Sequence, residues 1–160
     1  MSTGQVPPID PDIERLDLAP VAKAAAYALK RRHPVVVFTS GRRDTEAQAR
    51  AMASNVVKRR RWIVETYRDS PARAACQQWV DEHPAAITQA QIQEGLLTVF
   101  ASLPPDQLGG LSKHLAGMAF DVQPIHEDAA EIAATIRNLE GLELFLDREG
   151  GLERWHAEFK

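Results

Sequence analysis

Two stretches, far apart along the chain, carry residue types that can do chemistry. In Ser112-Lys-His114-Leu-Ala-Gly117-Met-Ala119-Phe-Asp121-Val, a histidine and an aspartate sit inside a run otherwise suited to burial. A buried polar or charged group without a partner costs several kcal/mol, so both side chains need one. Each other, the backbone or a cation would serve. Alone, the pair is satisfied by a plain His–Asp hydrogen bond. The second stretch, Glu153-Arg-Trp-His156, offers a further imidazole and a carboxylate. Imidazole and carboxylate are both normal zinc ligands, and three protein ligands with an open position form the catalytic-zinc arrangement. Zinc lowers the pKa of bound water towards about 7. A nearby carboxylate would take that water's proton and hand it to a leaving amine, and Glu153 is the candidate.

Composition fits such a site and narrows it. With one cysteine, Cys76, the chain has no internal disulfide and no multi-cysteine zinc site. Any metal is therefore held mainly by His, Asp and Glu. Cys76 itself reads as a small buried hydrophobe. At 160 residues, 44% hydrophobic and 26% charged, the chain suits one soluble domain with a single core. A net charge of -3 gives no basic balance for nucleic acid, which is not expected as a partner. Lys58-Arg59-Arg60-Arg61 is the one basic run. Read as four consecutive helical residues, it covers all sides of a helix and forms no flat nucleic-acid face. The first residues lack a basic region followed by an apolar run, so no signal peptide is read there. No stretch approaches the roughly 18 apolar residues of a membrane span. A cytoplasmic product is expected, reaching the periplasm or cell wall, if at all, by holin-assisted release. A monomer is expected.

The elements that must position these residues read as α+β, with several helices packed on a small antiparallel sheet. One domain over 1–160 is expected, with 1–16 an irregular leader. Pro20 suits a first helical turn, and the Ala-rich run after it places Lys30, Arg31 and Arg32 against the C-terminal dipole. Val35–Thr39, β-branched and bounded by Pro and Gly, reads as a buried strand. Thr45-Glu-Ala-Gln48 has a capping-box pattern, and Met52, Val56, Ile63 and Tyr67 recur at helical spacing after it. Asp69-Ser-Pro71 ends that helix, and another runs to His83. Thr88-Gln-Ala-Gln91, a second capping box, opens a helix to about Ser102. Residues 104–110 read as a loop, MAFDV as a strand after a turn at Gly117, and Glu127–Leu139 as the last helix. The helical segment over about 44–110 would shape the rim of a cleft. His33, His83 and His126 read as solvated, with His126 able to reach the rim.

The motifs together resemble a known family. Ser-x-His-x-x-Gly-x-Ala-x-Asp and Glu-x-Trp-His are similar to signatures of zinc D-Ala-D-Ala carboxypeptidases and dipeptidases, and Thr39-Ser-Gly-Arg-Arg-Asp-Thr-Glu-Ala-Gln48 resembles that family's Ser-Gly-Tyr-Arg segment. Phage L-alanyl-D-glutamate endolysins and hedgehog signalling domains share that fold. The resemblance implies a hedgehog/DD-peptidase-like fold and a Zn2+ site of His114, Asp121 and His156. It implies Glu153 as general base and Arg43 as the guanidinium that polarises the scissile carbonyl or holds a substrate carboxylate. Ser112 and Gln48 would lie near the substrate, and Trp155 would wall the pocket. The implied activity is hydrolysis of peptidoglycan stem peptides, of D-Ala-D-Ala carboxypeptidase type or as a phage or prophage endolysin. The alternatives are an L-alanyl-D-glutamate endopeptidase, a D-Ala-D-Ala dipeptidase and a non-catalytic zinc-binding module.

Two points stay open in the sequence. Arg42 stands where the family has tyrosine, and register favours Arg43 as the inward arginine. If 153–158 were a regular strand, His156 and Glu158 would share a face and Glu153 would point away. Glu153 reaches a metal only if the backbone bends between 153 and 156. Glu158 is otherwise the carboxylate beside His156, as a partner that orients it. The final strand is expected to be short and at an edge or terminus.

Overall fold

A computed structural model describes residues 8–149 and 152–160 of the chain. Its elements in order are α1 (Pro11–Glu14), α2 (Pro20–Arg32), β1 (Phe38–Ser40), α3 (Thr45–Val56), α4 (Trp62–Thr66), α5 (Pro71–Glu82), α6 (Gln89–Ser102) and α7 (Pro105–Gly109). A 3-10 helix (Lys113–Ala116), β2 (Ala119–Val122), α8 (Ala129–Arg137), β3 (Leu142–Glu149) and β4 (Leu152–Phe159) follow. The strands form one antiparallel sheet in the order β1-β2-β4-β3. The architecture is α+β.

Two apolar clusters flank the sheet. Under one face, Ile13 of α1, Ala22, Ala26 and Leu29 of α2, and Ile132 and Ile136 of α8 pack on Phe38, Phe120, Trp155 and Phe159. The second cluster is all-helical and joins Met52, Ile63, Cys76, Ile92 and Leu96 from α3 to α6. Gly95 lets α5 approach α6, since a Cβ there would fall 2.0 Å from the Trp79 ring. The other sheet face looks across a cavity towards this helical half.

Several elements depart from the sequence-based expectations. Within the expected leader, of which residues 1–7 lie outside the described residues, Asp10 caps α1 and Ile13 is buried. Val35–Thr39 is not a buried strand: β1 covers only Phe38–Ser40, and Val35 and Val37 are exposed while Val36 is buried. The cap of α3 is Asp44, whose carboxylate accepts from Ala47 N at 2.7 Å, rather than Thr45. The expected long helix to Tyr67 divides into α3 and α4 because the chain turns at 57–61.

The basic run Lys58–Arg61 occupies that turn rather than a helix. Arg60 donates to the carbonyls of Val80 and Ala86, satisfying acceptors around the end of α5, while Arg59 and Arg61 pair with Glu65 and Asp81. Residues 105–109 form α7 instead of loop, and the last helix is shorter than expected, Ala129–Arg137. His33 bonds Thr135 Oγ1 at 2.8 Å, and His83 stacks on Trp79 and bonds its carbonyl, so neither is simply solvated. Most consequential for the site, β3 supplies the sheet edge, so β4 is an eight-residue inner strand rather than a short edge strand.

Candidate metal centre

The sequence around His114 builds a rigid corner. Ser112 Oγ accepts from His114 N at 3.2 Å and caps the 3-10 turn, and Gly117 closes it at φ +72°. At Gly117 a Cβ would meet the Arg42 guanidinium at 2.7 Å and Ala19 N at 3.0 Å, so both its conformation and its surroundings call for glycine. The chain then enters β2, which places Asp121 beside His156 of β4 as a cross-strand pair. Ala119, wholly buried, stands opposite Glu158.

His114, Asp121 and His156 converge. Each offers one ligand atom, and these atoms lie within 4.8 Å of one another. His114 is 3% exposed and His156 7%. Asp121 Oδ1 lies 2.7 Å from His156 Nδ1, and Oδ2 lies 3.3 Å from His114 Nε2. The outer ring nitrogens face acceptors: His114 Nδ1 lies 2.7 Å from Gly41 O, and His156 Nε2 lies 3.0 Å from Glu158 Oε1. An acceptor on the outer nitrogen fixes the proton there and leaves the inner lone pair for a metal, the usual arrangement of metal-ligating histidines. The group can therefore hold a metal ion.

Asp121 is also held from behind. Ser40 donates to Oδ2 at 2.5 Å, and Arg43 Nη2 donates to the same oxygen at 3.1 Å. Burial by itself would raise the Asp121 carboxyl, but the His114 and His156 imidazoles outweigh it and hold the group well below the usual carboxylate range. Arg43, rather than Arg42, points inward. Arg42 turns away to pair with Asp17 at 3.1 Å. Gln48 is fully buried and bridges Arg43 Nη1 (3.5 Å) to the Tyr67 hydroxyl (3.2 Å), so it stands behind the arginine.

A bulge in β4 decides where the acidic residues point. Leu146 pairs with His156 and Arg148 with Glu153, so two steps of β3 span three of β4. The extra residue rotates Glu153 onto the face of His156 and Glu158. This is the bend between 153 and 156 that the sequence left open. Gly150 and Gly151, which suggested it, lie outside the described residues; the irregularity falls just after them. Glu153 borders the cavity at its rim, where its Oε1 lies 2.8 Å from His126 Nε2. Glu158 lies deeper, against His156.

The cavity beside the ligands measures about 840 Å³ and is bordered by Arg43, Tyr67, Arg68, Ser112, Glu153 and Glu158 among others. Trp155 also borders it, but its partner Val122 and its own burial place it in the helix-covered core beneath the sheet. Packing is its main contribution. Cys76 is wholly buried, and burial pushes its thiol up to about 12, so it offers no nucleophile. Among the described residues no helix is long and apolar enough to cross a membrane. No family profile, curated protein or solved structure matches the chain.

Sequence reasoning missed two residues around the site. Arg68 and Glu143 belong to no motif, and only the tertiary structure brings them beside Glu158.

Proposed function

We propose that the chain is a zinc-dependent peptidase of D-Ala-D-Ala carboxypeptidase type, acting on peptidoglycan stem peptides. The observation that carries this reading is the convergence of His114, Asp121 and His156 on one wall of a cavity, with both outer imidazole nitrogens already engaged. Two imidazoles and one carboxylate, with no thiolate, suit zinc in a hydrolytic site. The choice of substrate rests on the resemblance of the three motifs to zinc D-Ala-D-Ala peptidases. A zinc ion held here supplies Lewis acidity to a carbonyl and a more acidic bound water.

The chain's own residues do the remaining work. Glu153, whose Oε1 lies on His126 at the cavity rim, accepts the proton of the attacking water and returns it to the leaving amine. Arg43 directs a guanidinium into the cavity, where it meets negative charge developing on the scissile carbonyl oxygen. Gln48 and Ser40 hold that guanidinium, and Ser112 holds the turn bearing His114. One observation favours a second reading, a non-catalytic metal-binding module: Glu153, the candidate base, is paired with His126.

Metal analysis combined with digestion of muropeptides, read by mass spectrometry, tests the proposal. Bound zinc with release of a single terminal alanine is expected. Cleavage between L-Ala and D-Glu would make the chain an endopeptidase, and bound zinc without turnover would favour the binding module. A protein that takes up no metal would overturn both readings.

A further inference from the structure

Glu158 uses its two oxygens differently. Oε1 faces His156 Nε2 at 3.0 Å, and Oε2 accepts from Arg68 Nη2 at 2.6 Å. Arg68 comes from the connection between α4 and α5, in the helical half of the molecule. The same Nη2 lies 3.5 Å from Glu143 Oε2 on β3, and that oxygen lies 3.1 Å from Lys113 Nζ. Lys113 directly precedes His114. Two cations and two carboxylates thus alternate from behind one histidine to the doorstep of the other.

A lone surface ion pair is worth little, but this carboxylate is not at the surface. The Glu158 side chain is 13% exposed while that of Arg68 is 50% exposed, so the arginine reaches in from solvent to an enclosed group. Burial would raise the Glu158 carboxyl; the bond and charge of His156 and the charge of Arg68 prevail and hold it lowered. Glu143 and Glu158 repel each other, and Arg68 is placed where it meets both.

We propose that Arg68, backed by Glu143 and Lys113, is a positioning residue for the metal centre: it holds Glu158 so that His156 keeps Nδ1 turned towards Asp121. The inference rests on the metal-centre reading above. Carboxylates that orient ligating histidines set metal affinity, and their loss costs about 10–100-fold. Arg68 is one contact further out, so about tenfold is expected. The sign discriminates between roles. A cation near a divalent metal repels it, so if Arg68 acted through charge alone, removing it would tighten binding.

The test is Zn2+ affinity of the metal-stripped full chain, measured by competition with a chromophoric chelator, for wild type, Arg68→Ala and Arg68→Lys. Arg68→Ala should bind about tenfold more weakly. Arg68→Lys, which keeps the charge but not the planar donor set, should fall between. The visible spectrum of the Co2+-substituted protein should change in Arg68→Ala. Equal or tighter Zn2+ binding in Arg68→Ala would overturn the proposal while leaving the metal centre standing. Wild type that binds no Zn2+ would remove the metal centre and the proposal with it. Should Arg68→Ala not fold, Arg68→Lys carries the same test: wild-type affinity and an unchanged Co2+ spectrum would refute the positioning role.

Discussion

The two acidic residues of β4 make opposite predictions, and Glu153→Gln and Glu158→Gln separate them. The Glu153 side chain is 41% exposed and its His126 partner 81%, so their contact is worth about 0–1 kcal/mol to stability. A general base contributes about 10²–10⁴ in rate, which is about 2.7–5.5 kcal/mol of transition-state stabilisation. Glu153→Gln should therefore abolish most turnover with little change in unfolding temperature and full zinc content. Glu158→Gln loses a carboxylate that faces His156, so its defect should lie in metal affinity, by about 10–100-fold. Activity of Glu158→Gln should return at saturating zinc, whereas that of Glu153→Gln should not. The assay is single-alanine release from a muropeptide at increasing zinc, with metal content measured on the same samples. Should Glu153→Gln keep activity within tenfold of wild type while zinc-loaded Glu158→Gln is dead, Glu158 would be the base.

Two further outcomes test the framework around the site. Gly117→Ala should destabilise the fold by about 1–3 kcal/mol in chemical denaturation, because the residue sits at φ +72° and its Cβ would press on Arg42 and Ala19. Asp121 links stability to pH: a carboxyl lowered in the folded state adds stability that is present above its unfolded pKa, about 3.9, and lost as pH falls through the folded value. The metal-free protein should therefore lose stability below about pH 4, and Asp121→Asn should flatten that loss in denaturant titrations from pH 6 to pH 2.

What was legible in the sequence follows the range of the forces involved. Thr88 and Gln91 form the reciprocal cap their spacing suggests, since both partners lie within one helical turn. His114, Asp121 and His156 were readable as residue types, and the chain brings them together through the 3-10 turn before β2 and the pairing of β2 with β4. The split between α3 and α4 was not readable from Met52, Val56, Ile63 and Tyr67, which keep helical spacing across the turn. That turn is held by Arg60 reaching carbonyls of 80–86, a contact far off in sequence. β3 was missed although Leu142, Leu144 and Leu146 alternate. Without β3, the last strand looked like an edge. Arg68 and Glu143 had no local signal at all.

The faces of the strands show why periodicity alone falls short at this site. Phe38 and Ser40 are two apart and would share a face in a regular strand. Here Phe38 pairs with Val122 on the core side while Ser40 pairs with Asp121, two steps of β1 against one of β2. That irregularity lets Ser40 donate to Asp121 instead of facing the core. The bulge between Glu153 and His156 does the same on β4, swinging Glu153 to the cavity side. Both irregularities fall on strands bearing or contacting a ligand, and each adds a polar side chain to the ligand-bearing face that a regular strand would have turned away. A period-two reading of β1 and β4 therefore misplaces Ser40 and Glu153. The apolar residues Phe38 and Trp155 stay in the core, because their pairing with Val122 of β2 anchors them there from both sides.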